Sequence, residues 1–301
     1  MELTLGPILF EWKRADVLRF YEEAAAMDID RVYLGEVVCE KKKGLMLKDI
    51  KEVAAMLTEA GKKVVLSSLA VISNESELNM ARGLLTLPYA LEANDMSVFN
   101  MANPAEREVI CGPHITSYNV PSLEFLKSLG VKRVCFPVEL SAESVRYNIK
   151  HTDLEAEVFA WGRMPLAFSW RCYTSRAHGL GKTNCQHNCL EYPDGLMIRT
   201  MDGQPLFTIN GTSILSASTL SLAGEIEELR GMGVSALRIS PQLKGTAEVV
   251  KIFRDRLKGE LSVAEAEKEL RPLSAEGLLS SGWYHGGPGM TPIFAEEGES
   301  A

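Results

Sequence analysis

The stretch from Leu126 to Phe136 reads as helix, glycine stop, buried strand: Leu126-Lys127-Ser128-Leu129-Gly130, then Val131-Lys132-Arg133-Val134-Cys135-Phe136. The same order returns in Leu229-Arg230-Gly231-Met232-Gly233 followed by Val234-Ser235-Ala236-Leu237-Arg238-Ile239. Glycine ends a helix cheaply because it accepts the left-handed conformation at the C-cap. A short β-branched run directly after such a stop is a buried parallel strand. Strand starts near residues 4, 32, 64, 98 and 134 recur at roughly thirty-residue intervals, the length of a βα unit. Glu108–Cys111, Glu157–Trp161 and Ala236–Ser240 bring the expected strands to about eight. Successive units of this kind wind parallel strands through right-handed crossovers. The expectation is an α/β fold: a TIM-type (β/α)8 barrel over residues 1–301 as one domain, with an open doubly wound sheet as the alternative.

Two segments break the rhythm. Residues 170–210 form a cysteine-rich insertion after a late strand, ending in a hairpin of Leu196–Thr200 and Leu206–Ile209 through Asp202-Gly203. Residues 261–301 hold a helix opened by Ser262 and Glu265 and a tail rich in glycine, Gly282 to Gly289.

The insertion gathers Cys172, Cys185 and Cys189 in a segment poor in core residues and rich in Gly, Asn, His and Ser. Packing does not order such a loop; a metal centre would. Six cysteines in a chain of this length read as metal-binding or catalytic before they read as disulfides. In a parallel barrel the loops after the strands share one face. Cys39 follows the second strand in Gly35-Glu36-Val37-Val38-Cys39, so it belongs to the face that carries Cys172, Cys185 and Cys189. Four thiolates suit a 4Fe–4S cluster or a structural zinc. A zinc site of Cys172, Cys185 and Cys189 completed by His178 or His187 is the rival, and spacing alone leaves iron and zinc open. Cys135, inside an alternating apolar run, and Cys111, at a strand end, read as core packing.

Net charge and motifs exclude other classes. A formal charge of −8 argues against a nucleic-acid footprint, and Lys41-Lys42-Lys43 is the longest basic block. Glu11, Lys13 and Arg14 interrupt any early signal sequence. The uncharged run Gly203 to Gly224 has membrane-span length, but Gln204, Pro205, Asn210 and its many hydroxyls disqualify it. No transmembrane segment and a cytoplasmic location are therefore expected. Gly179-Leu180-Gly181-Lys182-Thr183 lacks the first glycine of a phosphate loop, Arg176 standing there, and Gly231-Met232-Gly233 precedes a strand where a dinucleotide turn follows one. Neither His-Glu-x-x-His nor Gly-x-Ser-x-Gly is present.

The block Glu157-Val158-Phe159-Ala160-Trp161-Gly162-Arg163, with Ser169-Trp170-Arg171-Cys172-Tyr173-Thr174-Ser175-Arg176, resembles the signature of the collagenase-like peptidase family, in its UbiU/UbiV ubiquinone-biosynthesis branch. The likeness extends over nearly the whole chain. That signature has a further cysteine seven residues before the position of Cys172, where Pro165 stands here. One of the branch's two types lacks that thiol in the same way and draws a ligand from early in the chain, matching Tyr33 to Cys39; its later pair matches Cys185 and Cys189.

The resemblance implies a 4Fe–4S cluster on Cys39, Cys172, Cys185 and Cys189. It implies the iron–sulfur subunit of an oxygen-independent hydroxylase in ubiquinone biosynthesis, acting as a heterodimer with a UbiU-like protein on a polyprenyl-phenol precursor. Tyr173 and Arg176 would shield the cluster. Glu36, His114, Glu139 and Arg163, at strand ends on the same side, are candidates for touching substrate, and each also reads as a cap or solvated loop residue. A zinc-stapled barrel acting as a scaffold, and a peptidase, are the alternative functions.

Overall fold

The computed structural model describes residues 1–42, 44–103 and 106–293. Lys43 of the basic block and positions 294–301 of the tail lie outside them. Eight strands close into a parallel barrel: β1 Glu2–Leu5, β2 Arg31–Gly35, β3 Lys63–Ser67, β4 Ala90–Ala93, β5 Val109–Cys111, β6 Arg133–Phe136, the first half of β7 Glu155–Phe168, and β11 Ala236–Ile239. β11 pairs in parallel with both β7 and β1, which closes the ring. The helices between strands are α1 Arg14–Ala26, α2 Leu47–Glu59, α3 Glu75–Leu85, α4 Met96–Met101, α5 Val120–Ser128, α6 Ala142–His151, α8 Ile226–Gly231 and α9 Thr246–Lys258. None among the described residues is long and apolar enough to cross a membrane.

One strand expectation fails. The run near residue 98 is helix α4, and the strand of that unit is Ala90–Ala93. Asp95 is the reason: its carboxylate accepts the backbone N–H of Ser97, and this cap starts a helix where the apolar run alone suggested a strand.

Alternation along the strands separates two environments. Outward residues such as Leu3, Leu5, Leu34, Leu66, Leu91 and Leu237 bury against the helices in one continuous core. Inward residues are largely polar. The side chain of Arg238 is buried, bonding Glu157 through Nε at 2.9 Å and Glu92 through Nη1 at 2.6 Å, with its guanidinium 3.9 Å from the Tyr33 ring centroid. Thr4 and Tyr33 donate to the two oxygens of Glu157, and Ser67 donates to Glu92. Burial alone would raise the Glu157 pKa; Arg238 and these donors outweigh it and hold the carboxyl below its usual range.

β7 passes through the barrel and continues beyond it. Its second half pairs antiparallel with β10 Ser213–Ser221, which pairs with β9 Pro205–Asn210, which pairs with β8 Leu196–Arg199. The switch falls at Gly162, with φ +129, where a Cβ would come within 2.5 Å of Ser240 Cβ, so only glycine lets β7 leave the barrel there. The β8–β9 pair is the expected hairpin, and the uncharged run Gly203–Gly224 is two antiparallel strands. After α10 Val263–Leu270, opened by the Ser262–Glu265 capping box, β12 Leu279–Ser280 pairs with β10.

Candidate metal centre

Three loops beyond the barrel strands carry the four singled-out cysteines: one holds Cys39, one Cys172, and one both Cys185 and Cys189. Gly35 ends β2, and the loop behind it turns on Glu36, whose Oε1 accepts the N–H groups of Val38 at 2.7 Å and Cys39 at 3.1 Å. Lys42 Nζ, nearly buried, lies 3.1 Å from Glu36 Oε1 and donates to Leu9 O at 2.5 Å. Burial raises the Glu36 carboxyl, and Lys42 works against that rise. Glu36 is therefore a brace for the Cys39 loop.

Cys172 stands at the end of the β7 extension, as the N-cap of the short helix α7 Tyr173–Ala177. Its Sγ accepts the N–H of Ser175 at 3.4 Å and the hydroxyl of Ser175 at 3.2 Å. Cys185 Sγ accepts the N–H of His187 at 3.4 Å. His187 holds φ 56, a left-handed conformation uncommon outside glycine. Cys189 Sγ donates to Glu11 Oε2 at 2.9 Å, and His187 Nδ1 lies 3.2 Å from Glu11 Oε1.

The loops touch. Thr212 Oγ1, in the β9–β10 turn, donates to Val38 O at 2.7 Å beside Cys39. Gly211 O, in the same turn, accepts the N–H of Tyr173 at 2.7 Å beside Cys172. Lys41 Nζ donates to Lys182 O at 2.6 Å, joining the Cys39 loop to the segment leading into Cys185. Lys182 in turn pairs with buried Glu77 at 3.0 Å and lies 5.7 Å from the Trp170 ring centroid.

Burial pushes the Cys39 thiol up to about 11, and burial together with Glu11 raises that of Cys189. Such thiols keep their protons until a metal displaces them. Among the described residues, no three His, Cys, Asp or Glu groups stand close enough to hold a metal ion. The donor chemistry nonetheless fits a thiolate-bound centre: four soft sulfurs, two of them already accepting N–H bonds of the kind that stabilise ligating thiolates. Cys111 and Cys135 are both buried within strands, apart from these loops.

The other candidates separate. Arg163 Nη1 donates to the carbonyls of Ser216 and Ala217, a structural role between β7 and β10. His114 and Glu139 instead line one cleft of about 220 Å³ together with Tyr118, Val138, Leu166 and Phe168. Tyr173 and Arg176 sit on α7 beside Cys172. Residues missed in the sequence are Glu11, Lys41, Lys42 and Lys182. Their signal was slight: Glu11 is a lone carboxylate within the otherwise apolar Ile8 to Trp12, and it is buried.

Comparison with known proteins assigns the chain. The model of peptidase family U32 matches residues 18–292. "tRNA hydroxylation protein P" of Helicobacter pylori (strain J99) is 33% identical over 152 residues, 45% of this chain and 35% of that protein. "tRNA hydroxylation protein P1" of Bacillus subtilis is 28% identical over 147 residues, 45% of this chain and 34% of its own length. "23S rRNA 5-hydroxycytidine C2501 synthase" of Escherichia coli is 27% identical over 177 residues, 56% of this chain and 27% of its own. The matched stretch thus spans about a third of these relatives.

These names correct the expected partners. Relatives that hydroxylate tRNA and rRNA overturn both the exclusion of nucleic acid and the expectation of a polyprenyl-phenol substrate with a UbiU-like protein. The physical reason is that −8 is a sum over the whole surface, and a sum does not describe the charge at one mouth. With a barrel whose strand ends carry the cysteine loops, and a family match over nearly its full length, the chain belongs to peptidase family U32.

Proposed function

We propose that this protein is an iron–sulfur hydroxylation protein, its cluster held by Cys39, Cys172, Cys185 and Cys189. The observation that carries the reading is the linkage of the loops bearing Cys39, Cys172 and Cys185 through Lys41–Lys182, Thr212–Val38 and Tyr173–Gly211, in a family whose curated relatives hydroxylate. Bound there, a cluster supplies one-electron redox chemistry. The chain's own residues do the rest. Glu36 and Lys42 hold the Cys39 loop, Ser175 and His187 N–H groups stabilise sulfur charge, and Lys182 and Trp170 cover the approach. The hydroxylation draws on a donor other than O2, and RNA is the substrate class that the relatives support. Assembly is heteromeric. Trp170, 57% exposed, and Leu190, 38% exposed, leave apolar surface beside Cys172 and Cys189 for a second chain.

One experiment tests the reading. Protein purified without oxygen is expected to be brown, with iron and acid-labile sulfide near four of each per chain for a 4Fe–4S cluster. Colourless protein with stoichiometric zinc overturns the iron reading. Nucleosides and quinones from anaerobic cells with and without the protein then separate the substrates. Loss of a hydroxylated nucleoside supports RNA, and loss of quinone with unchanged nucleosides overturns it.

A further inference from the structure

The end of the barrel opposite the cysteine loops carries a ring of charge. Glu2, Arg31, Lys63, Arg133 and Glu155 are the first residues of β1, β2, β3, β6 and β7, so they share the N-terminal rim. With Glu106, Arg107, Glu108 and Lys132, in the loops leading into β5 and β6, they line one cavity of about 470 Å³. We propose that this cavity binds a small zwitterion, an α-amino acid, whose carboxylate meets Arg31 and Lys132 and whose ammonium meets Glu106 and Glu108. The site lies at the far end from the metal centre and goes beyond the hydroxylation reading.

Most of the ring is matched. Lys63 Nζ donates to one oxygen of Glu2 and Arg133 Nη1 to the other, each at 2.7 Å. Arg133 also bonds Glu155 through Nε at 2.9 Å and Nη2 at 2.7 Å. Arg31 Nη1 donates to Glu108 Oε1 at 3.1 Å. Arg107 is bound to the carbonyls of Leu85 and Leu87, so it closes the wall. Three groups are left over. Arg31 is only 5% exposed, yet its Nε, 3.5 Å from a Glu2 oxygen, has no hydrogen-bond partner. A buried cationic N–H left unpaired is costly, so it marks a place for an acceptor. Lys132 makes no ion pair among the described residues, and Glu106 accepts from Asn103 Nδ2 but meets no cation among them.

These leftovers fix the chemistry of the ligand. A simple anion would satisfy Arg31 and Lys132 but would stand among four carboxylates, and a simple cation would stand among five basic groups. A molecule with both charges answers both at once. Arg31 and Glu108 already touch, so the donor and acceptor positions lie as close together as the two charged groups of an α-amino acid. One hydrogen bond does not exhaust Glu108, since a carboxylate has about four lone-pair sites. The volume agrees. About 470 Å³ lies within the roughly 300–1,000 Å³ of small-molecule pockets, which leaves room for a side chain beyond the charged groups.

Calorimetric titration with each common amino acid tests this, on the full chain purified without oxygen and kept in phosphate-free buffer at low salt. At least one amino acid is expected to bind. Its amide, which lacks the anion, and its N-acetyl derivative, which lacks the cation, should each bind at least roughly tenfold more weakly. Lys132→Ala should weaken the parent about tenfold and leave Tm within a few degrees of wild type, since no ion pair is lost. Glu106→Gln should also weaken the parent, yet strengthen the N-acetyl derivative by removing a repulsion. Absent binding of every amino acid, a derivative that binds as tightly as its parent, or parent binding unchanged in either variant overturns the proposal. Stripping the iron with a chelator should leave the affinity unchanged; binding that is lost with the iron belongs to the cysteine loops and overturns it too. If an amino acid binds while iron and hydroxylated products are absent, the hydroxylation reading has failed and the amino-acid site stands.

Discussion

Lys41 and Lys182 are 141 positions apart, yet the ammonium of the first donates to the backbone carbonyl of the second at 2.6 Å. This contact fastens the loop that carries Cys39 to the segment that leads into Cys185.

Cys39→Ala should reduce bound iron and sulfide to a small fraction of wild type, measured per folded chain, while circular dichroism is unchanged. Its thiol is half-buried in a loop and contributes little to packing. Cys135→Ser should do the reverse. Full burial of a hydroxyl among strands costs about 1–3 kcal/mol, read by urea unfolding, with iron content retained.

Lys182→Met leaves Glu77, only 2% exposed, without its cation. Ser73 still donates to that carboxylate through its N–H and hydroxyl, so the loss should be about 1–2 kcal/mol and not the full value for a stranded charge. Limited proteolysis should cut faster between residues 177 and 190, and Lys182→Arg should restore part of the resistance.

Arg238→Met strands two buried carboxylates, Glu92 and Glu157, at the barrel centre. Removing one partner of such a group costs about 3–5 kcal/mol. Urea unfolding should show that loss, and Arg238→Lys should recover little because an ammonium cannot reach both carboxylates as the planar fork does.

Glu2 sets part of the acid stability. Burial would raise its pKa, but Lys63, Arg133 and Arg31 outweigh that and lower it to about 2. A carboxyl depressed in the fold stabilises fully above its unfolded pKa, about 4.5, and that stability is lost as pH falls toward 2. Its side chain is 22% exposed, so screening reduces the contribution to about 1–2 kcal/mol. Glu2→Gln should be less stable than wild type at pH 7 by that amount and nearly equal to it at pH 2, measured by urea unfolding at both.

Local chemistry was enough for much of the barrel. Gly130 and Gly233 stop helices at positive φ, as their places before strands required, and Ser262 with Glu265 forms the capping box read from its spacing. Where local chemistry misled, a competing side chain decided: Asp95 capped a helix over the run near residue 98. Sequence pattern alone carries β7 only to Trp161, because its continuation pairs with β10, which begins 45 residues beyond Phe168.

The order of helices and strands, and the polar insertion with its three gathered thiols, were set by the amino-acid sequence, since periodicity, caps and cysteine spacing act over a few residues. The tertiary structure alone decided that Glu11 reaches Cys189, that Lys42 braces Glu36, and that His114 and Glu139 share a cleft while Arg163 is spent on backbone carbonyls. Those contacts join groups separated along the chain, and only closure of the barrel brings the strand ends that bear them to one face.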